Sequence, residues 1–432
     1  MSVQALQVQI DKASADIERQ KELLKKLERN KSLLQRQLNG LRDPIARLPL
    51  EISSEIFVQS LDLYGSPRPE GIPRLLLQVC NTWSDIALSI PSLWDTLIFT
   101  LPRSEDFQKL LSRWFERAAP HLLQVHTRGP LDSGVANVLW AHASQLGHLE
   151  LFPVWEDSDD SDDDEDVDVE FHQLFGDTPP PDSLPFLHKF TVLGHGSSMF
   201  SPLEIRKLLS SSPNLTELCL TDGQMMHVAP HKATETLCLP ALRRIWLSRD
   251  SLISAPDHAI LRFFSAPNLE ALGFSIPWTQ NNADIISFLQ RSSPPLQTLA
   301  IDGSEEDFRV FNDIVPFVST ISRLEFEWLE IPFATDLFET LAQHPTTFFP
   351  NIDTLKVHSL QTFPPPLWRS LVRAALARRS QLRSMRVTFA STVHVPVPPD
   401  VLGSFRTLSE TDNGMDIFIG KPGVDEKNML FS

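Results

Sequence analysis

The sequence predicts an α/β chain: a solenoid of strand–helix units, preceded by a small helical segment and a long N-terminal helix. Three observations carry this expectation. A short apolar phrase recurs at a constant step. Helix signals lie between its copies. A heptad pattern runs through the first forty residues.

The phrase is apolar, two residues, apolar, one residue, apolar. It reads Leu215-x-x-Leu218-x-Leu220, Leu242-x-x-Ile245-x-Leu247, Leu269-x-x-Leu272-x-Phe274 and Leu296-x-x-Leu299-x-Ile301. These copies start 27 residues apart. A fixed period of about 20–50 residues marks a repeat architecture, in which each unit buries its apolar face only against its neighbours. Later copies begin at Ile321, Ile352 and Leu382, and earlier ones at Leu187, Leu146, Leu122 and Trp94, with steps of 24 to 41. The longest step, from 146 to 187, holds an insertion.

Helix signals fill the spaces. Ser201-Pro202-Leu203-Glu204 reads as an N-cap, a proline at the first helical position and a capping-box glutamate. Asn282 precedes a helix at 283–291, Thr335 precedes one at 336–343, and Trp368, Leu371, Val372 and Ala375 mark another. Ser212-Pro213-Asn214, Ala266-Pro267-Asn268 and Pro294-Pro295 end the helix and set an extended entry to the strand. The pattern over residues 94–390 resembles the leucine-rich repeat family in its α/β form, with few copies continuing to a clear Asn/Cys ladder position. A (β/α)₈ barrel is the runner-up. The 27-residue step is short for one, and no strand ends in a cluster of catalytic residue types.

Residues 44–94 form the second segment. Ile52, Ile56 and Phe57 share a helix face, and Val79, Trp83, Ile86 and Ala87 make a second amphipathic helix. Two short helices cannot bury so many large apolar groups between themselves, so another surface is needed to cover the rest. The series Leu48-Pro49-x-Glu51, Ile56-Phe57-x-x-Leu61 and Val79-Cys80-x-x-Trp83-x-x-Ile86-Ala87, leading to Pro91-x-Leu93-Trp94, resembles an F-box with a long insert at 62–73. The whole arrangement is similar to F-box proteins abundant in mushroom-forming fungi. That resemblance implies the substrate-recognition subunit of a Skp–cullin–F-box ubiquitin ligase. Leu48, Pro49, Ile52, Ile56, Phe57, Val79 and Trp83 would contact the Skp-type adaptor, and through it a cullin. The repeats would hold a protein substrate, and no covalent step would occur on this chain. A protein-interaction scaffold without a degradation role is the alternative.

The N-terminal segment, 1–43, places Val3, Ile10, Ile17, Leu24 and Leu38 at one heptad position, with Lys31 interrupting. Leu6, Ala13, Leu27, Leu34 and Leu41 occupy the complementary position, with Gln20 interrupting. A long helix with one narrow apolar stripe wants a partner, and a parallel homodimer through residues 3–41 is the simplest.

Composition sets the limits. The 432 residues carry a net charge of −17, yet residues 156–170 alone hold eleven Asp or Glu. Without them 44 acids face 38 bases, which argues against general nucleic-acid binding. The acidic run reads as a disordered insert, and Ser158 and Ser161 within it suit acidophilic kinases. No run of 18 apolar residues exists, the first twenty residues lack an apolar block, and three cysteines make neither a disulfide framework nor a metal-ligand spacing. The chain therefore reads as cytoplasmic or nuclear, without membrane spans or signal peptide.

Catalytic and cofactor motifs are absent from the sequence: no Gly-x-Ser-x-Gly, phosphate loop or His-Glu-x-x-His occurs. Gly194-His195-Gly196-Ser197 reads as a turn. His227 and His231 have Pro230 between them and no third ligand nearby. Cys80 among apolar neighbours reads as a buried thiol. The chain is accordingly read as a binding protein, with no enzyme activity, cofactor or metal. The working surface is expected on the strand residues between the apolar ones: Cys219, Trp246, Gly273, Ala300, Glu325, Lys356 and Arg386, with Arg244, Arg323 and Arg383 nearby. Trp246 beside Arg244 suits a binding anchor, and Arg323, Lys356 and Arg386 complete the candidate substrate contacts. The solenoid is expected over 95–420, closed by a capping strand at 414–419, with 421–432 as a tail.

Overall fold

The computed structural model describes residues 3–62, 71–103, 105–152, 171–194, 199–221, 224–225, 236–248, 258–275, 283–302, 308–390, 397–410 and 414–420. The acidic run 156–170, residues 195–197, His227, His231, Asn282 and the tail 421–432 lie outside them. Two compact units divide the chain: Met1–Phe99 with Lys109–Leu123, and Thr100–Gln108 with Gln124–Ser432.

The first unit opens with α1 (Val3–Arg42), a 40-residue helix that passes through Gly40 without breaking. Then come a 3₁₀ turn (Ile45–Arg47), α2 (Leu50–Asp62), α3 (Gly71–Val79) and α4 (Asn81–Leu88). The second amphipathic helix expected through Val79, Trp83 and Ala87 is in fact two. Cys80 is extended, with φ −156° and ψ 172°, and caps α4 by accepting the Trp83 N–H on its Sγ at 3.5 Å. The side-chain cap makes a break there cheap.

The sheet has twelve strands, joined in chain order: β1 (Thr96–Thr100), β2 (Leu123–Arg128), β3 (Leu146–Phe152), β4 (Lys189–Leu193), β5 (Glu217–Thr221), β6 (Arg244–Ser248), β7 (Ala271–Ser275), β8 (Thr298–Asp302), β9 (Arg323–Glu327), β10 (Thr354–Ser359), β11 (Ser384–Phe389) and β12 (Asp416–Gly420). The order is linear and does not close at eight, which removes the barrel reading. Connections carry α5 (Glu105–Ala118), α6 (Ser133–Ala141), α7 (Pro202–Ser211), α8 (Ala283–Ser292), α9 (Phe308–Asn312), α10 (Ile331–Gln343), α11 (Pro365–Ala377) and α12 (Pro399–Ser409).

The phrase sets the register. From β5 to β9, Leu218, Ile245, Leu272, Leu299 and Leu324 lie opposite one another, and so do Leu220, Leu247, Phe274, Ile301 and Phe326. The twelve apolar residues of the four evenly spaced copies are at most 7 % exposed. A turn closes before several phrases, as the N–H of Leu215, Leu242, Leu269, Ile321 or Ile352 donates to the carbonyl three residues earlier at 3.2–3.3 Å. The asparagines of the Pro-Asn motifs then tie unit to unit. Asn214 Nδ2 donates to the Pro185 carbonyl at 2.8 Å, Asn268 to Pro240 at 2.9 Å and Asn351 to Ser319 at 3.0 Å. The sequence reading credited the prolines and missed these asparagines.

Two helix starts differ from expectation. Ser201 precedes α7 but makes no side-chain cap; Glu204 instead turns to accept the Leu174 N–H at 3.4 Å, and its carboxyl is raised by burial. Helix α10 begins four residues before Thr335, with Pro332 in its first turn, and Thr335 Oγ1 donates to the Ile331 carbonyl at 2.8 Å. Arg378, the C-cap residue of α11, is 1 % exposed and gives its guanidinium to carbonyls at and beyond the end of α10 rather than to a carboxylate. It reaches Leu341 and Phe349 at 2.9 Å and His344 at 3.1 Å, with Phe348 as a fourth acceptor. Burial lowers it to about 10, and the partial negative charge of the helix C-terminus supports the cation.

Candidate functional site

In the helical unit, one aspartate organises the entry to α2. Asp43 accepts the Ile45 N–H at 2.9 Å and the Trp83 indole N–H, and Cys80 Sγ lies 3.8 Å from it. Ser53, fully buried, donates to the Ile45 and Pro49 carbonyls at 3.2 Å. These bonds fix the inward face of α2, where Phe57 packs on Trp83 with ring centroids 5.0 Å apart. Helical spacing then sends Ile52 and Ile56 to another face, since residues four apart share one side.

The residues read as adaptor contacts separate accordingly. Leu48, Ile52 and Ile56 are 41 %, 50 % and 41 % exposed, and Leu50, not singled out from sequence, is 52 % exposed. Pro49 is exposed, while Val79 and Trp83 are half-buried. Phe57 is 1 % exposed and belongs to the interior, which corrects its reading as an outward contact. Position 57 joins Ser53 on the face turned to Trp83, a distinction that the apolar pattern alone does not make. The exposed aliphatic side chains Leu48, Leu50, Ile52 and Ile56 thus gather within nine residues of sequence.

The sheet of the second unit carries the other candidate surface. Its central row runs in register: Glu150, Thr191, Cys219, Trp246, Gly273, Ala300, Glu325, Lys356, Arg386 and Phe418. Two residues earlier, on the same side, stand His148, Lys189, Glu217, Arg244, Ala271, Thr298 and Arg323. Trp246 lies over Gly273, where a Cβ would come within 1.9 Å of the indole. The glycine is thus the seat of the ring, and Cys219 and Ala300 beside it are nearly buried.

The cations on this face are matched. Arg244 contacts Glu217 at 2.7 Å and Lys189 reaches the same carboxylate at 3.5 Å. Glu325 takes Lys356 at 2.9 Å and Arg323 at 4.0 Å. Arg386 sits 5.9 Å from the Phe418 ring centre. The predicted substrate residues therefore do not form one patch: Arg244 pairs with Glu217 beside Trp246, Arg323 and Lys356 gather on Glu325 three strands further on, and Arg386 lies by Phe418. Glu217 and Lys189 were missed, although the second variable position of each phrase lies two residues before the central one on the same face; Glu150 was missed although it stands at the central position of the copy that begins at Leu146.

At the β2–β4 end, His126 Nδ1 lies 3.1 Å from Glu150 and its ring meets His148 edge-on at 4.8 Å. Burial, then the neighbouring His126 and Lys189, lowers His148 to about 3. Burial alone would raise Glu150, but the His126 contact and nearby positive charge outweigh it and lower the carboxyl. Among the described residues, no group of three or more His, Cys, Asp and Glu is placed to hold a metal, and no disulfide joins Cys80, Cys219 and Cys238. Among the same residues, no helix is long and apolar enough to cross a membrane.

No family model matches the chain. No curated protein matches it either. Among solved structures, a crystal structure of a Bacteroides fragilis protein is similar over 74 % of this chain and 72 % of that one, at 10 % identity and a TM-score of 0.36.

Proposed function

We propose that this chain is the substrate-recognition subunit of a Skp–cullin–F-box type ubiquitin ligase, with a leucine-rich-repeat-type solenoid behind an F-box-like helical segment. The observation that carries the reading is the outward apolar set Leu48, Leu50, Ile52 and Ile56, held beside the buried pair Phe57 and Trp83. The set commits to one occupant, a Skp-type adaptor, because it falls within the stretch that carries the F-box resemblance. Pro49, Val79 and Trp83 border that contact, and Phe57 supports it from within. The solenoid reading is supported by the uniform parallel register of the phrases and by the asparagine ties at separations of 28 to 32 residues. The substrate contacts are Arg244, Trp246, Arg323, Lys356 and Arg386. Catalysis in this reading is proximity alone: the chain holds a substrate lysine near the ubiquitin-charged enzyme.

The test is co-expression with a Skp-type adaptor. Ile52→Asp with Ile56→Asp removes co-purification while leaving the thermal unfolding midpoint unchanged, since both side chains face water. Retained co-purification by that double variant rejects the proposal. Phe57→Asp is the wrong probe, because a charge at a buried site unfolds the segment.

A further inference from the structure

Helix α1 runs for 40 residues, about 60 Å at the usual helical rise. Every side chain described between Lys12 and Leu38 is exposed. The stripe includes Ile17 at 52 %, Leu24 at 57 %, Leu27 at 59 % and Leu34 at 66 %. A helix owes most of its stability to packing of such a stripe, and among the described residues this one is left exposed.

We propose that α1 is the dimerisation element of this protein, pairing in parallel and in register with α1 of a second copy. The charges select this occupant and this direction. Asp16 and Lys21 occupy the two positions that flank the stripe, five residues apart. In a parallel, in-register pair each Asp16 meets Lys21 of the other copy, twice per dimer. Lys21 also reaches Glu18 of its own helix at 2.7 Å, so each lysine bridges two carboxylates on the dimer. The other flanking pairs along the helix oppose no like charges: Gln9 with Ser14, Leu23 with Glu28, Asn30 with Gln35, and Gln37 with Arg42.

Direction follows from the two interruptions. In parallel register Gln20 faces Gln20 of the second copy, where the amides hydrogen-bond, and the Lys31 ammonium groups extend to solvent at the seam. The antiparallel pairing that overlaps the stripes most fully sets Gln20 against Leu24 and Lys31 against Ala13. That arrangement strands two polar groups on apolar partners. The second copy thus fits in one orientation, and the contact is independent of the adaptor reading.

The experiment uses the full chain at tens of micromolar. Sedimentation is expected to return about twice the 48.8 kDa chain mass. Leu24→Asp with Leu27→Asp is expected to halve that mass without shifting the unfolding of the remainder, because both residues are exposed. Leu34→Cys, in a chain whose exposed Cys238 is replaced by Ser, is expected to form an intermolecular disulfide under mild oxidation. In the antiparallel pair the two positions would lie about 36 Å apart and stay reduced. A monomer, a higher oligomer, a dimer that survives the double aspartate, or a dimer without the disulfide each overturns the proposal.

Discussion

The sheet and the short helices α2 to α4 treat apolar residues in opposite ways. In the sheet the phrase residues are sealed: Leu218, Ile245, Leu272 and Leu299 are fully buried, each lying against its equivalent on the next strand. In α2 three of the five aliphatic groups, Leu50, Ile52 and Ile56, face water. A unit that repeats carries its own partner in the next copy. A short helical segment does not, and its leftover apolar surface is available to another protein. The contrast separates residues sealed inside the fold from residues that the fold leaves exposed.

The strongest test of that separation is a core truncation. Leu299→Ala should cost about 3 kcal/mol in denaturant unfolding, from lost burial plus the cavity left between two neighbouring strands. Next comes Arg378→Met, which leaves four carbonyls unsatisfied and should cost about 2–3 kcal/mol, while Lys at that position restores only part. Both losses belong to the sheet unit, and neither should touch adaptor binding.

Acidification gives a third measurement. His148 and His258 are held neutral by burial, at about 3 and about 4 when folded. Unfolded, each takes a proton below about pH 6.5, so the unfolded state binds more protons in the window beneath that value. Stability is therefore full above pH 6.5 and falls as pH drops. At pH 5 each histidine should contribute a loss on the order of 2 kcal/mol. Replacing both with Gln should flatten the pH dependence of the unfolding midpoint between 6.5 and 5.

Smaller effects sharpen the comparison further. Asn268→Ala should cost about 0.5–1 kcal/mol, the worth of one partly exposed hydrogen bond between units. Ile52→Ala should change stability by less than about 0.5 kcal/mol, as for any exposed site. A loss at Ile52 comparable to that at Leu299 would mean that α2 has no outward face.

The strand units were legible because their period is short and their apolar positions are buried by neighbours of the same kind. Each expected phrase from Leu187 onward lies at a strand and in register with the next. The helix caps were less legible. Ser201 and Thr335 have the right chemistry, but Pro202 and Pro332 already start those helices, and side-chain oxygens found other duties. The break at Cys80 was hidden because cysteine is a rare cap and the apolar spacing continues across it.

By itself the sequence determined which residues meet across the strands, since a phrase with period-two alternation has one sealed side and tolerates no slip. Tertiary structure alone decided which of two adjacent apolar residues, Ile56 or Phe57, turns outward. It also decided that Glu217 and Glu325 neutralise the cations beside them. Those outcomes depend on groups far apart in the chain, Asp43 with Trp83, or Glu217 with Arg244, and a local pattern holds no information about neighbours brought in by folding.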